Sequence, residues 1–162
     1  LSPSAETKLP DYYVDSSVLV KRHVQETGYA WFRALCAPNA GNVIITTRLS
    51  MAEVYSALNR RRREAEINAL DYQDLVGDFE AVCSTEYQIT EITPAVIRRS
   101  RSLLEQHPLR AYDAIQLASA LLAQTALQTA ELPPLSFLAA DERLITAAQA
   151  EGLPTGNPNL HL

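Results

Sequence analysis

Residues 111–127, with the sequence AYDAIQLASALLAQTAL, differ from the other helical stretches of the chain. Their apolar side chains occur almost all the way round the predicted helix, which is typical of a helix that is buried on most sides. Residues 48–63 instead carry an apolar stripe at i, i+3, i+4 and i+7 that begins at Met51, the pattern of an amphipathic helix. The sequence therefore predicts one largely buried helix among helices that expose one face to solvent.

Short runs of β-favouring residues alternate with the helical stretches. Strands are predicted at residues 12–14, 43–46, 87–92 and 136–139. Besides the two helices above, helices are predicted at residues 66–83, 94–106 and 142–151. Strands that are separated by helices favour a parallel sheet with right-handed crossovers and helices on both faces. The predicted fold class is therefore α/β, a three-layer α/β/α domain around a central parallel sheet.

The chain of 162 residues has the length of a single domain. Residues 11–162 are predicted to form that domain, and the polar opening LSPSAETKLP (1–10) is predicted to be a flexible tail rather than a signal peptide. Because the sequence contains no long apolar run, no membrane-spanning helix is predicted. Cys36 and Cys83 lack the spacing of a metal or redox motif, so we expect reduced thiols in a cytoplasmic protein.

The net charge of −5 comes from 19 acidic and 14 basic residues. This balance argues against a protein that coats nucleic acid through bulk positive charge. It does not exclude an enzyme that acts on nucleic acid, because basic residues cluster at 21–22, 60–63 and 98–101, where they are candidate phosphate contacts. The alternative for 60–63 is the solvated end of a helix, where the helix dipole favours positive charge.

The aromatic and imidazole side chains give weaker evidence about function than the charged residues do. Four aromatic residues are candidates to stack on bases, although we expect each of them in the core: Tyr12, Tyr13, Trp31 and Tyr112. The three histidines have neither the spacing of a zinc site nor that of a catalytic triad, so no catalytic role is predicted for them: His23, His107 and His161.

Four acidic residues occur near the ends of predicted strands or the starts of predicted helices: Asp15, Glu53, Asp113 and Asp141. Asp15 ends the first strand, and Asp141 lies just past the fourth. Glu53 and Asp113 lie in the first turns of two helices. The carboxyl ends of parallel strands and the starts of the following helices share one edge of a sheet, where ligands bind. We therefore expect the four carboxylates to converge.

Each acid also has a structural alternative. Asp15 and Asp141 are candidate N-caps, and residues 50–53 match the S-x-x-E capping box. The helix dipole favours an acid such as Asp113 in a first turn. However, the helix of Asp113 is otherwise almost entirely apolar, and an ionised carboxylate is costly there unless it is paired. Gln116 lies on the same helix face and is a candidate to orient the Asp113 carboxylate.

Carboxylates that converge repel one another, and such a cluster is tolerated chiefly when a cation lies among them. A site with oxygen ligands only favours Mg²⁺ or Mn²⁺ over Zn²⁺. The sequence therefore predicts an acidic pocket for a divalent metal ion.

Four segments of the chain resemble the PIN-domain nucleases, and among these the VapC-type toxins of bacterial toxin–antitoxin pairs. The segments are YYVDSSVLVK (12–21), ITTRLSMAEV (45–54), LRAYDAIQLA (109–118) and FLAADERL (137–144), followed by Asn157 and Pro158. They occur in the order and spacing of the family and extend over nearly the whole chain. The resemblance implies that residues 11–162 form a single PIN-like nuclease domain.

The resemblance also implies a metal-dependent endoribonuclease that cleaves single-stranded or loop RNA and is the toxin component of its pair. It implies a catalytic and metal-binding quartet of Asp15, Glu53, Asp113 and Asp141. Asp15 and Asp113 are expected to bind Mg²⁺ or Mn²⁺ directly, while Glu53 and Asp141 position the water or a second ion. A homodimer and a small antitoxin, whose C-terminal segment covers the active site, are the partners that the resemblance implies.

Two positions next to the quartet are notable. Ser17 matches a small hydroxyl residue that the family places after its first Asp, and we expect it to support the site. Ala139 departs from the pattern of many members, which carry Thr or Ser two residues before the fourth acid. This departure makes Asp141 the least defined of the four acids.

Three alternatives to the nuclease remain open from the sequence. A phosphatase of the HAD type would carry D-x-D at the first strand, where Asp15 is followed by Ser16 and Ser17. A response-regulator receiver would carry an Asp after the third predicted strand, where Thr93 and Pro94 occur. The third alternative is a catalytically inert binding module with the PIN fold.

Overall fold

The computed structural model describes residues 11–161. In this part of the chain the strands are β1 (Asp11–Val14), β2 (Val43–Thr47), β3 (Gln88–Thr90), β4 (Ser136–Leu138) and β5 (Thr155–Gly156). They form one parallel five-stranded sheet with the order β3-β2-β1-β4-β5. The predicted tail at residues 1–10 lies outside the described residues.

Seven α-helices flank the sheet in the described part of the chain. They are α1 (Ser16–Leu19), α2 (Tyr29–Cys36), α3 (Arg48–Arg63), α4 (Ala69–Thr85), α5 (Pro94–Gln106), α6 (Ala111–Thr129) and α7 (Glu142–Ala150). The alternation of strands and helices and the central parallel sheet are confirmed.

Three of the differences between the structure and the sequence-based prediction have a clear local cause. β3 has three residues instead of six, because its partner β2 ends at Thr47, which pairs with Thr90, and offers nothing to pair with later residues. α4 begins at Ala69 rather than residue 66, since the side chain of Asn68 accepts the backbone N–H of Asp71 and caps the helix. β5 was not predicted, because a two-residue strand that contains glycine carries no β-favouring run.

Two cores lie on opposite faces of the sheet, because successive side chains of a strand point in opposite directions. Tyr13 of β1 and Phe137 of β4 belong to the core formed with α5, α6 and α7. Their neighbours Val14 and Leu138 belong to the core formed with α1 to α4. The three-layer arrangement is therefore confirmed.

The helix α6 is buried over only part of its length. Residues 114–120 are buried except for the half-buried Ile115, whereas most residues from Thr125 onward are exposed. A helix of 19 residues is about 28 Å long, while the longest strand, with five residues, extends about 17 Å. The C-terminal part of α6 therefore continues beyond the region that the short strands cover, which the composition of the helix does not reveal.

The order of the strands reverses at β1. The chain proceeds from β1 outward through β2 and β3, and then returns to the opposite side of β1 to form β4 and β5. In open parallel sheets the carboxyl ends of the strands at such a reversal form a crevice that binds ligands. Asp15 follows β1 directly, and Asp141 lies just after β4, so both acids lie at this crevice.

None of the helices in the described residues is long and apolar enough to cross a membrane. Cys36 and Cys83 are free thiols, as predicted. Burial raises the pKa of each thiol to about 11, so neither is activated as a nucleophile.

Candidate active site

Asp15 caps the first turn of α1. Its Oδ2 accepts hydrogen bonds from the backbone N–H of Ser17 at 3.1 Å and from the Ser17 hydroxyl at 2.5 Å. The same hydroxyl accepts the backbone N–H of Ala140 at 3.1 Å, which ties the loop after β4 to α1. Asp15 is 4% exposed. The capping alternative is therefore confirmed for Asp15, and Ser17 holds its carboxylate as expected.

Gln116 connects α6 to β1 and α3. Its side chain is fully buried, and its Nε2 donates to Oε1 of Glu53 at 2.8 Å and to Oγ of Ser50 at 2.9 Å. Its Oε1 accepts the hydroxyl of Tyr13 at 2.8 Å. The buried amide of Gln116 therefore fixes the orientation of the half-buried Glu53 carboxylate.

Two hypotheses from the sequence are wrong at this place. The capping box at residues 50–53 does not form, because α3 begins directly after Thr47 and Ser50 lies inside the helix. Gln116 does not orient Asp113, because its buried amide is directed toward Tyr13 and Glu53 on the neighbouring elements.

Asp113 and Asp141 lie at the starts of α6 and α7. Asp113 is half-buried in the first turn of α6. Asp141 is exposed, and its Oδ1 accepts the backbone N–H groups of Arg143 at 2.8 Å and Leu144 at 3.4 Å. The capping alternative is therefore confirmed for Asp141. Ala139 is fully buried in the core with α5, α6 and α7, where its methyl group packs and supplies no polar atom.

The carboxylates of Asp15 and Glu53 both have raised pKa values. Burial is the largest cause for Asp15 and, with the charges of Glu53 and Asp113, raises its pKa to about 7 against the hydrogen bonds from Ser17. Burial also raises the pKa of Glu53, again with a contribution from Asp113 and against the hydrogen bond from Gln116. The protein therefore holds both groups where a negative charge is costly in the absence of a cation.

Asp113 links these two acids to the fourth. Burial and then the charge of Asp141 raise its pKa, while the backbone and guanidinium of Arg110 and the charge of Arg143 act in the opposite direction. The four predicted acids therefore influence one another in a chain that runs from Asp15 to Asp141.

This mutual influence does not amount to a preformed ligand cage. Within residues 11–161, no group of three or more His, Cys, Asp or Glu side chains is arranged to hold a metal ion. The donor set nevertheless fits Mg²⁺ or Mn²⁺, since it consists of carboxylate oxygens only. Mg²⁺ commonly keeps several of its waters and binds through only one or two carboxylates.

A cleft of about 640 Å³ opens beside Glu53. Its lining includes four basic side chains and one aromatic ring: Lys21, Arg60, Arg61, Arg110 and Tyr112. Lys21 and Arg61 both form ion pairs with Glu26, at 3.0 and 2.5 Å. Arg60 and Arg110, in contrast, form no ion pair with any other described residue. The lining of the cleft therefore includes two guanidinium groups that form no ion pair within the described residues, although the charge of Arg110 also acts on Asp113.

The other basic clusters lie away from this cleft. Arg22 pairs with Glu86 at 2.7 Å, and Arg99 pairs with Glu151 at 3.0 Å. Neither residue lines the cleft, and the histidines are absent from its lining as well. Lys21 lines the cleft but is buried and paired with Glu26. Of the predicted basic clusters, Arg60 therefore remains as the candidate phosphate contact at the site.

Arg110 was not predicted as a residue of the site, and Tyr112 is more exposed than its sequence position suggested. Arg110 is an isolated basic residue, and the available signal was its position three residues before Asp113, at the N-terminus of α6. Tyr112 was expected in the core and is 60% exposed, whereas Tyr13 is fully buried, and Tyr12 and Trp31 pack partly buried against the core.

The buried amide of Gln116 provides a test of this arrangement. Gln116→Met keeps the volume but leaves the Tyr13 hydroxyl and the Glu53 carboxylate without their partner, so we expect the free energy of unfolding to fall by about 2–4 kcal/mol. Chemical denaturation measures the loss. Gln128→Met, at an exposed position of the same helix, is the control and is expected to change stability by less than about 0.5 kcal/mol. A loss as small as that of the control would contradict the bridging role of Gln116.

The fold and the site define a class: an α/β protein with acidic side chains and a basic cleft at the strand reversal of a parallel sheet. Comparisons with known proteins agree with this class. The family model of the PIN domain matches residues 12–149. Ribonuclease VapC45 of Mycobacterium tuberculosis is 31% identical over 144 residues, which cover 89% of this chain and 93% of that protein. The chain therefore belongs to the PIN-domain family.

Solved structures share the fold at lower sequence identity. A toxin–antitoxin complex from Klebsiella pneumoniae contains a chain that matches with a TM-score of 0.60 and 18% identity, over 91% of this chain and 97% of that chain. VapC20 of Mycobacterium tuberculosis, a toxin that cleaves the sarcin–ricin loop, matches with a TM-score of 0.59 and 17% identity, over 88% and 95%. Family membership excludes the phosphatase and receiver alternatives.

Proposed function

We propose that this protein is an endoribonuclease of the VapC type and the toxin of a toxin–antitoxin pair. The observation that carries the proposal is the group of buried and half-buried carboxylates whose charges raise the pKa values of their neighbours, beside a cleft with two arginines that form no ion pair within residues 11–161. The relative named Ribonuclease VapC45 supports the activity. An acidic centre next to a basic wall suits an enzyme that must bind a polyanion and also bind a cation.

The proposal includes a divalent cation, Mg²⁺ or Mn²⁺, at the acidic centre. Asp15 and Asp113 are the residues that would hold it, with Glu53 and Asp141 next to them. When bound, such an ion supplies a Lewis acid that acidifies a water molecule and offsets charge on the phosphate. The raised pKa values of three of these carboxylates support this assignment, because a cation removes the repulsion that raises them.

The side chains of this chain then have distinct tasks. Ser17 and Gln116 hold the carboxylates of Asp15 and Glu53 in fixed orientations, which lowers the cost of ordering them during the reaction. Glu53 accepts a hydrogen bond from the attacking water and orients it toward the phosphorus. Arg60 and Arg110 bind phosphates of the RNA along the cleft, and this contact is expected to weaken as salt increases.

The partners in this proposal are an RNA substrate, a cognate antitoxin and a second copy of the chain. The antitoxin is supported by the toxin–antitoxin complex that shares the fold. The homodimer is proposed from the resemblance of the sequence to the family. The cytoplasmic location is proposed from the reduced thiols.

The experiment that tests this function is a cleavage assay on a panel of single-stranded and hairpin RNAs. With Mn²⁺ we expect endonucleolytic products, and with EDTA we expect none, because the acidic centre lacks the cation that it needs. A parent protein that gives no metal-dependent product on any RNA of the panel would favour the inert binding module instead. Products that form equally in EDTA would contradict the role of the metal.

A further inference from the structure

Tyr112 differs from every other aromatic side chain of the protein. The seven tyrosines, three phenylalanines and one tryptophan all lie in the described part of the chain. Among them only Tyr112 is exposed, with 60% of its surface accessible. It forms no hydrogen bond and no ring contact with any described residue. Its ring is therefore available for a ligand, and nothing in the fold requires an aromatic residue at this position.

The position of Tyr112 connects it to the active site. It is the second residue of α6, between Arg110 and Asp113 in sequence. Its side chain lines the same cleft as Glu53 and Arg60. An isolated exposed aromatic residue needs no special explanation, but this ring shares a cleft with one acid of the proposed centre and with two arginines that have no ion-pair partner in the described part of the chain.

We propose that Tyr112 stacks on an unpaired base of the RNA next to the phosphate that is cleaved. Every base has a π-face, so a tyrosine ring can stack on any of them without reading the sequence. In a duplex both faces of a base are already covered by its neighbours, so the ring can engage only a base that is unstacked. The arginines contribute the phosphate contacts, and Tyr112 adds a preference for single-stranded or loop RNA. This inference rests on the proposed ribonuclease function.

The test uses single-stranded RNAs of about 12 nucleotides that carry the fluorescent base 2-aminopurine at successive positions, with binding measured in EDTA so that no metal-dependent cleavage occurs. Stacking on Tyr112 is expected to quench the fluorescence at one or two adjacent positions. We expect Tyr112→Leu to abolish this quenching and to weaken binding about 5- to 150-fold, the range for one stacked base. Tyr112→Phe, which keeps the ring, is expected to bind like the parent.

Two controls separate stacking from a general loss of structure. Leu70→Ala changes another exposed apolar residue, on α4 and outside the lining of the cleft, and is expected to leave binding unchanged. An abasic nucleotide at the quenched position removes the base instead of the ring, so it should weaken binding to the parent but hardly affect Tyr112→Leu. Equal binding of Tyr112→Leu and the parent, or equal effects of the abasic nucleotide on both, would overturn the proposal.

The outcomes distinguish this inference from the function on which it rests. If Tyr112→Leu cleaves RNA in a metal-dependent way with the kinetics of the parent, the stacking role is contradicted and the ribonuclease function is supported. If quenching depends on Tyr112 but no RNA is cleaved, the protein is an RNA-binding module and the ribonuclease function is contradicted. A parent protein that binds none of the RNAs in EDTA and cleaves none of them with Mn²⁺ would contradict both.

Discussion

Asp15→Asn is expected to stabilise the metal-free protein at pH 8 by up to about 4 kcal/mol, because the folded protein raises the pKa of Asp15 from 3.8 to about 7. Between pH 3.8 and about pH 7, Asp15 is therefore protonated in the native state and ionised in the unfolded chain. Stability of the parent therefore falls as the pH rises from about 4 to about 7, and stays low above that range. The amide of the variant carries no charge, and its oxygen is able to accept the hydrogen bonds from Ser17.

Denaturant unfolding in EDTA at pH 4 and pH 8 measures this effect. The stabilisation is expected at pH 8 and should be small at pH 4, where the carboxyl is protonated in the native state and still about 40% protonated in the unfolded chain. Asp74→Asn, at an exposed position of α4, is the control. Mn²⁺ should stabilise the parent and have less effect on Asp15→Asn. An Asp15→Asn protein that is no more stable than the parent at pH 8 would contradict the cost assigned to this carboxylate.

Asp113→Asn is expected to reduce the rate of metal-dependent RNA cleavage by about 1,000-fold, which corresponds to about 4 kcal/mol of transition-state stabilisation. The variant keeps the size of the side chain at the start of α6 but removes one negative charge from the proposed metal ligands. Initial rates at saturating Mn²⁺ measure the loss, and Asp74→Asn should cleave at the parent rate. Thermal melting of Asp113→Asn at or above the parent would show that the fold is intact. Cleavage within about threefold of the parent would place the metal elsewhere.

The sequence was sufficient to predict the location of the acids, for a simple physical reason. In a parallel α/β fold, the residue after a strand and the first turn of the next helix lie at the same edge of the sheet. Asp15 and Asp141 are N-caps that occupy this edge through local hydrogen bonds. A residue at the strand reversal can therefore cap a helix and also face the ligand crevice. For this reason, the capping role of Asp15 and Asp141 does not argue against a function in the active site.

The contacts between the acids and their supports were not predictable in the same way. Gln116 and Glu53 are separated by 63 residues, and their pairing depends on how α6 and α3 pack on the sheet. The exposure of Tyr112 likewise depends on which side chains of other elements pack around the start of α6. Local sequence patterns specify which face of a helix is apolar, but they do not specify which side chain of another element lies opposite each position.

Anomalous diffraction from crystals soaked in Mn²⁺ tests the central claim most directly. We expect a manganese peak at the strand reversal, next to the carboxylates of Asp15 and Asp113. The same soak of Asp113→Asn should show a weaker peak or none. Manganese that binds only outside the crevice, at a concentration at which the protein cleaves RNA, would contradict the assignment of these acids to the active site.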